Sequence, residues 1–316
     1  MNADIAEYDN KTAIKEFILL AFSNSQDIQI FLFVIILLVY ITCISGNVSI
    51  IFLVSTETSL QTPMYFFIGT LAVLEVMFVT DTIPKLLDNL ISYNKSISIL
   101  GCFTQMFFFN GLGITECYLL TVMAFDRHLA INSPLHYSTI MNKQIFVALD
   151  LVPWIIGFCI SFMTTLFTAR LNYCGRNRIN HFICDLAPLQ SLACSDPFLS
   201  RRITLIAAVL ANVIPFIFII ACYIRIIITI CNIKSAEGKQ KAFSTCSSHL
   251  AVACMFYGTA SIVYSRPSGS QYDKYIAVMY TLFTPLLNPF IYTLRNNDVK
   301  SAARKSWLIK KVLEKT

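Results

Sequence analysis

"IFLFVIILLVYI", Ile30 to Ile41, decides the fold. Strands of a membrane barrel alternate apolar and polar residues, whereas this stretch is apolar on every face. It lies in a window, 28–56, that runs 29 residues without a charge. A helix needs roughly 20 residues to cross the hydrocarbon core of a bilayer. Four more charge-free windows come to that length: 151–169, 203–224, 242–265 and 275–294. Two others, 58–80 and 96–125, are broken by a single acid each, Glu75 and Glu116. Composition agrees, with 56% hydrophobic and 13% charged residues in 316 and a mean hydropathy of +0.65. That is too little charge to clothe a water-facing globule of this size. Buried helices of soluble proteins run about 10–14 residues and rarely come in sevens. The expected fold is an all-α membrane protein, a seven-transmembrane helix bundle.

The chain reads as one domain over 1–316: an N-terminus of 1–27, seven spans within 28–294, and a tail of 295–316. Its longest loop, about 167–202, could cap the bundle but is too short for a core of its own. No internal repeat and no low-complexity run occurs. "MNADIAEYDNKTAIKEF" has no apolar h-region, so span one is expected to act as its own insertion signal. Seven crossings put the two ends on opposite sides. With the N-terminus outside, 13 Lys and Arg fall inside and 11 outside, which barely favours that orientation.

Two further features favour it. Asn10 opens the sequon "NKT", a glycosylation acceptor only on the lumenal side. Of 11 cysteines, seven lie in spans or at their inner ends; Cys102 lies at the outer start of span three and Cys174, Cys184 and Cys194 in the long loop between spans four and five, all on the sequon's side. An even set there suggests two disulfides in an oxidising compartment. The tail then faces the cytoplasm with seven basic and two acidic residues. Val299, Ala303 and Trp307 recur at i+4, consistent with a short amphipathic helix on anionic lipid.

Polar groups inside the membrane cost about 2.5–3.5 kcal/mol each on insertion scales, so function is sought there. Glu75, Glu116, Arg127 and Asn288 stand out. Glu116 and Arg127 are eleven residues apart, three full turns, and project from one face of span three roughly 16 Å apart. Arg127 follows Asp126 in "MAFDRHLAIN", an acid and a base side by side at the end of a membrane helix. Span seven carries Pro285 and Pro289 one turn apart in "TPLLNPFIY". Each proline frees a carbonyl, of Thr281 and of Pro285, which needs another partner; a helix built this way can change shape.

These residues carry a resemblance. "GNVSI" in span one, "PMYFF" and "LAVLEV" entering span two, "MAFDRHLAI" with "SPLHY" after span three, "KAFSTCSSHL" opening span six and "PLLNPFIYTLRN" closing span seven resemble the vertebrate olfactory receptors. Those are rhodopsin-like, class A, G protein-coupled receptors. Loop cysteines spaced ten and ten, in "HFICD" and "ACSD", strengthen the likeness. It implies bonds Cys102–Cys184 and Cys174–Cys194, and a resting ionic latch of Asp126 and Arg127. On activation Arg127 would swing toward Tyr223 and Tyr292, with Asn288 and Pro289 in the bending span, and open a cleft. A stimulatory, olfactory-type Gα subunit of a heterotrimeric G protein would enter it and raise cAMP. Glu75, Glu116 and Asn288 match the polar cluster that in related receptors can hold a sodium ion, with Asn47 nearby; no other cofactor is expected.

The resemblance also places a small, largely apolar odorant between spans three, five, six and seven. Spacing from the motifs nominates Phe109, Asn110, Gly113 and Ile114, then Ala207, Ala208 and Ala211, then Tyr257, Ala260, Tyr264 and Val278. Amine-binding relatives carry an aspartate where Phe109 stands, so a cation anchored there is disfavoured. The expected location is the plasma membrane, in sensory neuron cilia, with membrane lipid and trafficking chaperones as partners and no nucleic acid. The chain departs from the family pattern at Phe125 and His128, where tyrosine is usual, and at Asn132, where cysteine is, which bears on coupling strength. A transporter or channel would show repeats and glycine-rich half-helices, yet glycine is only 10 in 316. An enzyme would have to use His181, Cys184 and Asp185, a loop triplet whose cysteine is better used in a disulfide. Neither is expected.

Overall fold

The structure is a computed structural model. It describes residues 14–20, 22, 25–175, 177–264, 273–295, 299–302 and 304–305, with the side chains of 241, 244, 245, 248, 260–264, 273 and 292–295 outside the description. Helices α1 (Gln26–Thr56), α2 (Pro63–Ile91) and α3 (Ile99–Asn132) are followed by a short α4 (Pro134–Ile140) and by α5 (Lys143–Ala169). After a loop containing α6 (Leu186–Leu192), span five runs Phe198–Asn232 as α7 (Phe198–Ala208), a π-turn at Val209–Val213, and α8 (Ile214–Asn232). Span six is α9 (Ala236–Tyr264); span seven is α10 (Asp273–Val278), a π-turn at Met279–Phe283, and α11 (Thr284–Arg295). The fold is the seven-helix membrane bundle.

Among the described residues, five helices, α1, α2, α3, α5 and the whole of span five, are long and apolar enough to cross a membrane unaided. Span six opens on "AEGKQK" and has its apolar stretch at His249–Thr259. The helices overrun the charge-free windows, because charge is tolerated where a helix end meets water or a side chain is buried against a neighbour. Asp150 is such a case: it lies inside α5, almost fully buried, and accepts a hydrogen bond from Thr70 of α2.

Although α1 is apolar all round, it buries only one stripe, Ile36, Cys43, Asn47, Ile50 and Leu53, and gives the rest to lipid. The opposite extreme is α3, at the centre, packing on α2, α5, α8 and α9. In α5 the buried face reads Asp150, Pro153, Gly157, Ser161, Thr164 and Thr168, while Leu151, Val152, Ile155, Phe162 and Met163 face outward. Lipid tails offer no hydrophobic drive between helices, so small residues that permit close backbone approach hold them together. A Cβ on Gly157 would lie 2.8 Å from the Gly111 carbonyl oxygen of α3, and Ser161 Oγ donates to the Phe107 carbonyl at 2.6 Å.

One end of the bundle is capped by two disulfides, Cys102–Cys184 and Cys174–Cys194. A three-stranded sheet joins them. Strand β1 (Glu16–Leu19) lies between β2 (Ser96–Ser98), antiparallel, and β3 (Arg178–Ile179), parallel. Alternation turns Phe17 and Leu19 inward, where both are fully buried against Met106, Ile179, Cys184 and Leu189. The loop therefore has no core of its own; it shares one with α3 and the chain's first strand. Gln105 ties this cap down, donating to the Asp81 carbonyl at 3.0 Å and accepting from the Cys184 amide at 3.1 Å.

At the far end, residues 299–302 and 304–305 are helical. Val299 and Ala302 are buried among the residues that include Ile50, Leu53 and Leu60, and Lys305 pairs with Glu57 at 3.1 Å. This turn packs on protein rather than lipid, which corrects the expectation for Val299; Ala303 and Trp307 lie outside the described residues, as does Asn10.

Candidate functional site

A cavity of about 610 Å³ opens between α3, span five, α9, span seven and the disulfide-bonded loop. From α3 it takes Phe109, Asn110, Gly113, Ile114, Glu116 and Cys117; from span five Arg201, Thr204, Leu205, Ala208 and Asn212; from α9 Phe256 and Thr259; from span seven Tyr280. Phe78 of α2 stacks on Phe109 at 5.0 Å between centroids. The loop roofs it with His181, Asp185 to Pro188, Gln190 and Ser191, most of them on α6, whose N-cap is the Asp185 carboxylate accepting from the Leu186 amide at 2.7 Å. A mostly apolar chamber with a few convergent polar groups is the usual form of a small-molecule site.

Below the cavity lies a buried polar cluster. Asn288 Nδ2 donates to Glu75 Oε1, and Asn47 Nδ2 donates to the Pro285 carbonyl at 3.3 Å. That carbonyl is one of the two freed by the tandem prolines, so α1 supplies the partner it needs. The helices approach closely here: a Cβ on Gly46 would lie 3.2 Å from Pro289 Cβ. Glu116 lies within electrostatic reach of Glu75. Glu75 Oε2, Glu116 Oε1 and Asn288 Oδ1 are buried without hydrogen-bond partners.

At the far end of α3, Arg127 Nη2 donates to Asp126 Oδ2 at 2.5 Å, and both residues are buried. The other carboxylate oxygen accepts from Tyr137 of α4 at 2.6 Å. Burial, with the Asp126 charge beside it, pushes the Tyr137 phenol well above its ordinary range, so it stays a donor. Tyr223 stacks on His249 of α9, its hydroxyl 2.5 Å from Nδ1. The departures from the pattern are placed nearby: Phe125 packs on Phe218, and His128 hydrogen-bonds Asn132 at 3.2 Å.

The family profile described as "Olfactory receptor" matches residues 36–311. This chain belongs to the olfactory receptor family. It is 44% identical to human olfactory receptor 10A7 over 97% of this chain and 98% of that one. To mouse olfactory receptor 1M1 it is 46% identical over 95% and 96%, and to human olfactory receptor 10R2 45% over 94% and 90%. As an olfactory receptor it is a multi-pass membrane protein of the G protein-coupled class, a receptor for small-molecule odorants and not an enzyme.

The olfactory receptor cavity and the spacing-based nominations overlap in part. Phe109, Asn110, Gly113, Ile114 and Ala208 line it. Ala207 and Ala211 are instead buried in helix packing, Tyr257 donates to the Cys117 carbonyl at 3.1 Å, and Val278 packs in the cluster that includes Phe78 and Leu74. In spans five and seven the cause is a π-turn in each. Each adds one residue to a turn, so an unbroken helical count drifts across it: Ala208 and Asn212 line the cavity one position past Ala207 and Ala211, and Tyr280 two positions past Val278. The side chains of Ala260, Tyr264 and Tyr292 lie outside the described residues. The roof from His181 to Ser191 left no periodic signal to find. Tyr137 and His249 were missed although both stand in quoted motifs, "SPLHY" and "KAFSTCSSHL"; a histidine inside a span was signal enough.

Proposed function

We propose that odorants bind in the 610 Å³ cavity and that this receptor activates a stimulatory, olfactory-type Gα subunit and so raises cAMP. The observation that carries the reading is the alignment of three features on α3: cavity wall at Phe109, polar cluster at Glu116, buried ion pair at Arg127. They span about 27 Å of one helix. In the resting arrangement Asp126, oriented by Tyr137, holds Arg127, while His249 holds Tyr223. Outward movement of α9 carries His249 away, frees Tyr223 to meet Arg127, and opens the cleft for the Gα C-terminus. Tandem prolines let span seven follow.

The disulfide end faces outside at the plasma membrane of sensory cilia, and Asn10 carries glycan; the oxidised cysteines support that orientation. Trafficking chaperones and contact with membrane lipid belong to the same reading. A sodium ion sits at Glu75, Glu116 and Asn288. Among the described residues no group of three or more His, Cys, Asp or Glu could hold a metal, and two acids with one amide suit a monovalent, hard cation that takes oxygen ligands. Three buried oxygens without partners support it. A cAMP reporter screened over volatile odorants tests the whole scheme, with Arg127→Ala as control. The wild type responds and the variant does not; a response unchanged by that substitution overturns the mechanism.

A further inference from the structure

We propose that Asn94, in the short loop between α2 and α3, is a second N-glycosylation acceptor. This rests on the preceding reading that the disulfide end faces outside. "NKS", Asn94 to Ser96, completes the acceptor pattern, with lysine at the middle position where proline would forbid it. "NVS" at Asn47 has the same pattern, yet Asn47 is 1% exposed inside α1 and donates to the Pro285 carbonyl. Geometry separates the two. Asn94 is exposed, and its Oδ1 accepts from the Ser96 amide at 3.0 Å, the turn that asparagine makes with the backbone two residues on. That bond engages the oxygen and leaves Nδ2, the atom that takes the sugar, to solvent.

The acceptor also stands clear of the bilayer. The charge-free window ends at residue 80, and α2 continues through Asp81, Lys85 and Asp88 to Ile91, about 16 Å of helix above that window. Asn94 comes just after the Ser92 cap of this helix. On its other side Ser96–Ser98 is β2, an edge strand of the cap sheet. Open edges invite pairing with other chains, and a bulky, solubilising glycan at the start of this one shields it. The neighbouring Tyr93 ring is fully exposed, an uncovered apolar face beside the point of attachment. In the transfer, Asn94 Nδ2 bonds to the anomeric carbon of an oligosaccharide carried on a lipid diphosphate. The bond from that carbon to the diphosphate oxygen breaks, the lipid diphosphate leaves, and Nδ2 gives one proton to the lumenal transferase that catalyses the step.

The full chain, with an epitope tag at its N-terminus, is translated in the presence of endoplasmic reticulum microsomes, so passage to the cell surface plays no part. Glycans are read as steps in gel mobility that peptide N-glycosidase removes. The wild type is expected to run one step above Asn94→Gln. Ser96→Ala and Lys95→Pro lose the same step without touching the acceptor, while Ser96→Thr keeps it because threonine also completes the pattern. In Asn10→Gln the Asn94 step remains, and the glycosidase removes it. Equal mobility of the wild type and Asn94→Gln, or a step that survives both Ser96→Ala and Lys95→Pro, overturns the proposal. Protease added to sealed microsomes separates the two levels. A protected tag with no Asn94 step refutes this site alone; a digested tag puts the N-terminus on the cytoplasmic side and refutes the orientation as well.

Discussion

At the scale of single residues, the far end of α3 holds a buried ion pair whose acid, Asp126, has two partners, Arg127 and Tyr137. Tyr137 is the least expected. Its hydroxyl orients the Asp126 carboxylate toward Arg127, and removing it leaves a buried oxygen unpaired at a cost of about 1–3 kcal/mol. That cost falls on the resting arrangement alone, so Tyr137→Phe raises basal cAMP about fivefold or more at unchanged surface expression; basal signal equal to wild type excludes the role. The polar cluster predicts a salt effect. If sodium bridges Glu75, Glu116 and Asn288, replacing sodium chloride by choline chloride at constant ionic strength lowers the melting temperature of the wild type. In Asn288→Ala, which loses an oxygen ligand, the two salts give the same melting temperature.

Elements follow from which residues each helix buries. For α5 the small, hydroxyl-bearing face against α3 leaves no room for growth. Gly157→Ala sets a Cβ against the Thr115 hydroxyl and the Gly111 carbonyl, and overpacking of this kind costs about 1–3 kcal/mol. Its melting temperature falls by several degrees, while Ile155→Ala on the outward face changes it little; the reverse order would remove close α3–α5 packing as the cause. The sequence disclosed all seven helices because hydrocarbon thickness sets a length that composition displays directly. It disclosed their ends less well, since Asp150 sits within α5 yet terminated the charge-free window. It misassigned faces in spans five and seven because a π-turn is a backbone event with no residue signature, and Ala207, Ala211 and Val278 were assigned by an unbroken helical count.

For the whole molecule, the cap determines what the cavity is. His181, Asp185 to Pro188, Gln190 and Ser191 form its roof, and the Cys102–Cys184 bond with Gln105 fastens the loop that carries them to α3. The bond closes a separation of 82 residues, for which loss of a native disulfide costs about 2–5 kcal/mol. Incubation with a reductant therefore weakens odorant binding about tenfold or more, with the helix content of the bundle retained by circular dichroism; binding untouched after full reduction shows that the roof holds without it. That the long loop caps the bundle and is bonded to α3 is expected from the sequence, but α6 and the residues that line the cavity are not, for loops carry no period, and the strand at Glu16–Leu19 reads only as part of the N-terminus 1–27. That strand also sets an order of manufacture. Ile18 pairs with Arg178, about 160 residues later in synthesis, so at about 5–20 residues per second it waits on the order of ten seconds or more for its partner. Until four helices have been delivered to the bilayer, Phe17 and Leu19 have no pocket, and closure of the sheet is the event that records their delivery.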